Sequence, residues 1–352
     1  MGFKCGIVGL PNVGKSTLFN ALTRTVLAQA ANYPFCTIEP NGGIVAVPDT
    51  RLSAIAKCAK SEKIIPTSLE IIDIAGLVKG ASKGEGLGSQ FLEHIRGVDA
   101  IIHMLRCFDD PDITHVEGAV DPVRDLHIIM SELMLSDLAS CERRRDNLAK
   151  KIKSGDKEAK ALYDEILVCI EDLENGRIPK TTLVDNLIST KSAIYVCNVA
   201  ENNLEKGNTY VDAVRSYTKE DVVLVSASIE AELSALSDEE RLEYMTSLGM
   251  TESGLDQVIR KGYSILNLIT YFTAGPKETR AWTIDKGTLA PGAAGVIHTD
   301  FEKGFIRAEV IAYEDFVACQ GESGAKTAGK LRVEGKDYFV QDGDVMHFRF
   351  NV

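Results

Sequence analysis

The chain has 352 residues and a formal net charge of −12, and 45% of its residues are hydrophobic. This length allows two or three domains with a real core, and the acidic balance excludes indiscriminate binding of polyanions. The 8 cysteines show no C-x-x-C spacing, and no apolar run approaches the roughly 20 residues that cross a bilayer, so we expect a cytoplasmic protein without disulfides, zinc or membrane contact.

The first apolar run, Phe3 to Val8, leads directly into GLPNVGKST, residues 9–17, which fits the phosphate-binding pattern G-x-x-x-x-G-K-[ST]. A strand, a glycine-rich turn and a helix in this order direct backbone N–H groups at phosphates. Lys15 is expected to act on the β/γ-phosphate oxygens as a catalytic cation, and Ser16 to bind Mg²⁺. The residues expected to contact the nucleotide here are Asn12, Val13, Gly14, Lys15, Ser16 and Thr17.

Two segments that would respond to the γ-phosphate follow. Asp73-Ile74-Ala75-Gly76 comes after the apolar run Ser68 to Ile72 and matches D-x-x-G. Asp73 would therefore hold Mg²⁺ through water, and the N–H of Gly76 would sense the γ-phosphate as part of the catalytic site. Thr37, between the first helix and this motif, is the candidate that completes the Mg²⁺ shell, an assignment that rests on position alone.

Leu77 stands where Ras-type enzymes carry a glutamine that orients the attacking water. An apolar side chain cannot do this by hydrogen bonding, so hydrolysis should be slow unless another group, a cation or a partner supplies the function. His115 could swing in as a catalytic residue, although an ordinary loop histidine fits the sequence at least as well. Asn12 could help to bind a monovalent cation such as K⁺.

Between Pro122 and Pro179, apolar residues recur at steps of three to four on both sides of a turn at Lys153 to Asp156, which predicts a helical hairpin. Its basic residues fit a solvated helix face, the commoner explanation, or a patch that faces RNA. These residues are Arg143, Arg144, Arg145, Lys150, Lys151, Lys153, Lys157 and Lys160.

The strands of the parallel sheet resume after the hairpin, at Ala193 to Cys197 and Val222 to Val225. After Pro276, short alternating runs cut by glycines, among them Val296 to His298 and Tyr338 to Val340, predict a small and mostly β module. The expected fold is therefore α/β. Its domains are a P-loop nucleotide-binding domain (1–122 and 185–275), a helical coiled-coil insertion (123–184) and a C-terminal module (276–352).

The nucleotide base is predicted from Asn198-Val199-Ala200-Glu201, at the place where guanine-specific proteins use N-K-x-D. The aspartate of that motif accepts hydrogen bonds from guanine N1–H and the 2-amino group. Glu201 is one methylene longer and Val199 offers only apolar contact, so much of the discrimination for guanine is lost. ATP is therefore the predicted nucleotide, with Asn198, Ser226 and Ala227 also expected in the site.

Together these residues resemble the YchF type of the Obg-like ATPase family. The resemblance rests on residues 9–17, 32–39, 73–88 and 198–201, the helical hairpin and the stretch from His298 to Val310. It implies an ATPase with Mg²⁺, a coiled-coil insertion and a β-grasp TGS domain. The implied partners are ATP and the ribosome or its large subunit, with RNA contacts through the hairpin and the TGS domain, in translation or the stress response.

Two other functions stay open at this point. One is a GTP-specific GTPase of ribosome assembly. The other is an interaction protein that binds a nucleotide without significant turnover.

Overall fold

The computed structural model describes residues 3–29, 42–74, 87–152 and 156–351. The strands in chain order are β1 (Lys4–Val8), β2 (Gly42–Ala46), β3 (Lys63–Ile65), β4 (Ser68–Asp73), β5 (Ala100–Arg106), β6 (Ser192–Asn198), β7 (Val222–Val225), β8 (Leu268–Ala274), β9 (Glu278–Asp285), β10 (Phe305–Ala312), β11 (Arg332–Glu334) and β12 (Asp344–Phe350). The helices are α1 (Lys15–Gln29), α2 (Thr50–Ala59), α3 (Leu87–Arg96), α4 (Pro122–Ile152), α5 (Lys157–Glu174), α6 (Thr209–Thr218), α7 (Ala227–Leu233), α8 (Asp238–Ser247), α9 (Gly254–Ile265), α10 (Ala290–Ile297), α11 (Thr299–Lys303), α12 (Tyr313–Ala318) and α13 (Glu322–Thr327).

The first sheet has the strand order β2-β4-β1-β5-β6-β7. All neighbouring strands are parallel except β2, which is antiparallel to β4. Five of these strands coincide with the apolar runs of the sequence, which confirms the predicted α/β sheet. The antiparallel edge strand β2 was missed, because two glycines at its start give no strand signal.

The first sheet is buried on both faces. Met104 packs in the apolar cluster that includes α1, α3 and α9, whereas its neighbour Leu105 packs with Leu126 of α4 and Val211 of α6. Successive side chains of a strand point to opposite faces, so every residue of β5 is buried. Parallel strands end at the same edge of the sheet, and that edge carries the motifs predicted to bind the nucleotide.

The helices α4 and α5 form the predicted hairpin and share an apolar cluster that includes Cys141 and Ile166. Asp156 caps α5 by accepting hydrogen bonds from the N–H groups of Glu158 and Ala159, at 3.1 Å each. Residues 153–155 of the turn lie outside the described part of the chain. Within that part, no helix is both long and apolar enough to pass through a bilayer.

The second sheet has the strand order β11-β10-β12-β8-β9-β3. Its run of C-terminal strands begins with β8 at Leu268, earlier than the predicted start of the C-terminal module at position 276. It also recruits β3, which pairs in parallel with β9 although it comes from the connection between β2 and β4. The preceding helix α2 covers the sheet, because Ile55 packs with Phe272 and Phe316 in a buried cluster.

The strand predicted at Val296 to His298 is wrong, since these residues end α10 and lead into α11. Pro291 lies in the first turn of α10, where its missing N–H costs no hydrogen bond, and buried alanines follow on one face. The expected strand at Tyr338 to Val340 is reduced to a single bridge between Leu289 and Phe339. The C-terminal part therefore contains more helix than its alternating runs predict.

Candidate nucleotide-binding site

The phosphate loop joins β1 to α1 in the predicted strand-turn-helix arrangement. Its turn needs two left-handed residues, Asn12 at φ 64° and Gly14 at φ 95°. Glycine adopts such an angle without strain, and at position 14 there is also no space for a side chain. A Cβ atom on Gly14 would lie 2.4 Å from Nδ2 of Asn198. The backbone is thus shaped to present N–H groups at the opening of α1.

Lys15 and Asp73 meet at this edge of the sheet. The Nζ atom of Lys15 lies 3.2 Å from Oδ1 of Asp73, the last residue of β4. Ser16 and Thr17 are exposed on the first turn of α1. A cation and a carboxylate therefore meet at the start of α1, whose first turn also carries two hydroxyl groups. Hydroxyl and carboxylate oxygens are the hard ligands that Mg²⁺ prefers, so Ser16 and Asp73 fit the predicted metal.

Asn198 links the phosphate loop to the segments that are predicted to bind the base. Its Nδ2 donates to the carbonyl of Val13 at 2.9 Å, and its Oδ1 accepts from the N–H of Ala227 at 3.0 Å. Ser226, the residue before α7, is buried, and its hydroxyl lies 3.0 Å from that of Ser228. The side chain of Asn198 thus connects the phosphate loop, β6 and α7 through two buried hydrogen bonds.

Val199 and Glu201 differ in accessibility. Val199 is only 2% exposed and packs with Leu105 and Val211, so in this arrangement its side chain contacts the core. Glu201 is exposed as the first residue of a 3₁₀ turn, Glu201–Asn203. Of the two residues that depart from N-K-x-D, only the carboxylate is open to a ligand.

His115 is buried next to the phosphate loop and is held on both ring nitrogens. Its Nδ1 accepts from the N–H of Glu117 at 3.1 Å, which leaves the proton on Nε2, 2.9 Å from Oδ2 of Asp125. The preceding residue, Thr114, accepts a hydrogen bond from Nδ2 of Asn12 at 3.1 Å. The loop that carries His115 therefore contacts the phosphate loop, and the His115 side chain is fixed there by Asp125.

The structure places most predicted residues at one edge but leaves some untested. Thr37 and Gly76 lie outside the described residues. Two buried residues were missed: Asp125, the partner of His115, and Arg106, at the end of β5. Asp125 looks like an ordinary acidic residue in the first turn of a helix, and Arg106 follows an apolar run, so neither carries a motif.

Another group of possible metal ligands lies on the second sheet, where Glu309, Glu322 and His347 bring their ligand atoms within 4.8 Å of one another. However, Arg349 already donates to Glu309 at 3.0 Å and lowers the pKa of that carboxyl. This carboxylate is thus engaged in an ion pair on an exposed surface, and none of the predicted metal ligands belongs to this group.

Two family models match the chain. One, described as a 50S ribosome-binding GTPase, matches residues 4–134, and the other, the C-terminal model of YchF proteins, described as a protein of unknown function (DUF933), matches residues 268–351. Among curated proteins, the chain is 57% identical to the ribosome-binding ATPase YchF of Haemophilus influenzae and 50% identical to that of Bacillus subtilis. Both alignments cover 100% of each chain.

A solved structure described as the Schizosaccharomyces pombe YchF GTPase is also similar, with a TM-score of 0.87 and 40% sequence identity. This alignment covers 99% of the present chain and 98% of the other. Full-length identity of this degree, together with the phosphate loop, the helical hairpin and the second sheet, establishes the relationship. The chain belongs to the YchF family.

Proposed function

We propose that this protein binds ATP with Mg²⁺, hydrolyses it slowly to ADP and phosphate, and uses the change of nucleotide state to regulate an association with the ribosome or its large subunit. The names of the curated relatives, ribosome-binding ATPases, support this function. It would be exercised in the cytoplasm, where ribosomes work, in translation or the stress response.

One observation carries the choice of ATP. Asn198 donates to the carbonyl of Val13 in the phosphate loop, which supports Asn198-Val199-Ala200-Glu201 as the segment that reads the base, with a glutamate in place of the aspartate that recognises guanine. The names of the similar proteins differ on this point, since the curated relatives are called ATPases and the solved fission-yeast protein is called a GTPase. Base specificity is therefore the property to measure first.

The chemistry would use the residues at the edge of the first sheet. Lys15 would exchange Asp73 for the β/γ-phosphate oxygens, while Asp73 and Ser16 would hold Mg²⁺ with Thr37. The metal would neutralise phosphate charge. We also propose that the N–H of Gly76 senses the γ-phosphate, so that its loss is transmitted to the loop after β4.

Activation of the attacking water is the step for which the described residues offer the fewest candidate side chains. His115 can take a proton from water only if its Nδ1 releases the N–H of Glu117, and it can donate a hydrogen bond to water only if its Nε2–H releases Asp125. A monovalent cation such as K⁺ held near Asn12 is the second candidate for this function. Both candidates agree with slow turnover, since each requires a rearrangement or an added ion.

Competition between labelled ATP and GTP tests the base. We expect ATP to bind at least about tenfold more tightly, and the variant Glu201→Asp, at an exposed residue, to shift the preference towards GTP. Glu205→Asp, the same shortening at an exposed neighbour, is the matched control and should change nothing. Tight GTP binding by the wild type with no ATP binding would reject the assignment and favour a GTPase.

Phosphate release tests catalysis. Release from ATP that disappears in Lys15→Ala would support the proposed enzyme, and stimulation by ribosomal particles would support the partner. No release even with ribosomes and potassium ions would instead favour a nucleotide-binding interaction protein. Running the ATP/GTP competition with and without ribosomal particles addresses the base and the partner together.

We propose that RNA contacts come through the helical hairpin and the C-terminal module, whose fold we assign as TGS. Several basic side chains there are already neutralised, Arg144 by Asp185 and Arg145 by Asp146, so the exposed lysines are better candidates. Lys157→Glu together with Lys160→Glu should weaken co-sedimentation with ribosomes at low salt. Arg145→Glu, beside its own Asp146, is the comparison and should weaken it less.

A further inference from the structure

Arg106 is the last residue of β5 and is almost completely buried, at 1% exposure. Its guanidinium donates to three backbone carbonyls: from Nε to Phe108 at 3.2 Å, from Nη1 to Ile113 at 2.9 Å and from Nη2 to Asp110 at 3.2 Å. Within the described ranges, no carboxylate forms an ion pair with it. A buried charge is thus held by carbonyl dipoles of a single loop.

This arrangement depends on the shape of the arginine head group. A guanidinium is planar and offers five N–H donors in a fixed fork, so it can bind three carbonyls at once, whereas an ammonium is a compact point charge. The ring of Phe108 lies beside the guanidinium, with its centroid 4.9 Å from the central carbon. Residues 108–113 are therefore folded around one side chain, and their conformation depends on it.

The loop continues directly into the contacts described for the nucleotide site. Thr114, next after Ile113, accepts the hydrogen bond from Asn12 of the phosphate loop, and His115 follows with its bond to Asp125. β5 is also the parallel neighbour of β1, whose end forms the phosphate loop. A short chain of contacts therefore leads from the buried guanidinium to the phosphate loop.

We propose that Arg106 is a positioning residue for ATP hydrolysis: it holds residues 107–115 in the conformation that sets Thr114 against Asn12 and His115 beside the phosphate loop. This inference rests on the proposed ATPase function. It does not require Arg106 to contact the nucleotide. Arg106 acts through the loop, so its loss should affect the reaction more than the binding of ATP.

The first test compares Arg106→Lys with Arg51→Lys. Both variants keep the positive charge and lose the forked donors of the guanidinium. Arg51 is the control because it forms ion pairs with Asp49 and Asp342 at the second sheet. We expect Arg106→Lys to lower the single-turnover rate of ATP cleavage at least about tenfold, with the Kd of a non-hydrolysable ATP analogue changed less than about threefold. Arg51→Lys should leave both values unchanged. Equal losses of binding and rate in Arg106→Lys would overturn the proposal.

A second test uses Asn12→Ala and the double variant Asn12→Ala, Arg106→Lys. If Arg106 works through the Thr114–Asn12 contact, the double variant should be about as slow as the slower single variant. Rate losses that multiply would show that the two residues act independently and would contradict the inference.

Hydrogen exchange tests the same idea without turnover. With the ATP analogue bound, Arg106→Lys should speed the exchange of amides in residues 108–115 and in the phosphate loop, and leave α9 unchanged. Unchanged exchange in residues 108–115 would overturn the positioning role even if the wild type proved inactive. An inactive wild type whose loop exchange does respond to Arg106→Lys would instead reject only the proposed ATPase function.

Discussion

The ammonium group of Lys15 lies 3.2 Å from Oδ1 of Asp73, so the cation expected to bind phosphate and the carboxylate expected to bind Mg²⁺ neutralise each other. Their side chains are only 10% and 19% exposed. Each charge is therefore compensated in a site shielded from water. Binding of Mg²⁺ with ATP would replace one ion pair by two new ones.

The pair should be visible in the stability of the nucleotide-free protein. Lys15→Met or Asp73→Asn alone leaves one shielded charge without its partner, and we expect each to lower the free energy of unfolding by about 1–3 kcal/mol. The double variant should lose clearly less than the sum in denaturant titrations. Strictly additive losses would show that the two side chains do not interact.

Gly14→Ala should abolish nucleotide binding. Its φ of 95° disfavours any side chain, and the new Cβ would displace the amide of Asn198. Gly176→Ala is the matched control, because Gly176 also has a positive φ, 68°, but no atom lies within 4 Å of the added carbon. That control should cost about 1 kcal/mol of stability and keep its affinity for ATP in a fluorescence titration. A Gly14→Ala protein that binds ATP normally would contradict this geometry.

Glu230 should make stability depend on pH. Burial raises the pKa of this carboxyl to about 7, while the N–H of Gly254, 2.7 Å from Oε1, opposes the shift. Asp256 raises the pKa further and Arg241 lowers it. Because its pKa is higher in the folded state, Glu230 binds a proton more tightly there than in the unfolded chain, which stabilises the fold. This contribution is complete below the unfolded pKa near 4.5 and is lost as pH rises through about 7.

Glu230→Gln removes this titration. The variant should gain stability relative to the wild type between pH 5 and pH 8, on the order of 3 kcal/mol in total. Thermal unfolding across that range measures it, with the exposed Glu239→Gln as the control. A difference between variant and wild type that stays constant with pH would disprove the assignment.

Ile55→Ala should destabilise the second sheet, because Ile55 packs on Phe272 of β8, which lies far away in the chain. Ile55 is fully buried against Phe272 and Phe316, so we expect a loss of about 2–5 kcal/mol. The single tryptophan, Trp282 of β9, reports the unfolding of this sheet by fluorescence. Leu242→Ala, at a residue that is 66% exposed, should cost less than about 0.5 kcal/mol. A loss that small for Ile55→Ala would argue against the packing of α2 on the sheet.

The sequence predicts those parts of the fold whose signal is local. The continuous apolar runs of β5 and β6 and the spacing of the phosphate loop need no distant partner to be recognised. The three-residue strand β3 could not be found in this way, because it exists only through pairing with β9. Helix α10 was misread for a related reason, since its short apolar end also fits a strand.

The same distinction between local and tertiary signals applies to the candidate site. The motif residues Lys15, Asp73 and Asn198 were identified from their spacing, and the structure brings all three to one edge of the sheet. The contacts that fix His115 and those between Arg106 and three carbonyls form only in the folded chain, and no periodicity in the sequence predicts them. The burial of Val199 also could not be inferred, because an apolar residue after a strand fits a base contact as well as a core position.

The pairing of β3 with β9 means that the chain passes from the first sheet to the second, returns, and crosses again after α9. A fragment cut out at Leu268 would lose both its edge strand and the helix that shields Phe272, leaving open backbone groups and bare apolar surface. The C-terminal segment is consequently not a detachable appendage. Any force that shifts this segment also pulls on the connection between β2 and β4. The last residue of β4 is Asp73.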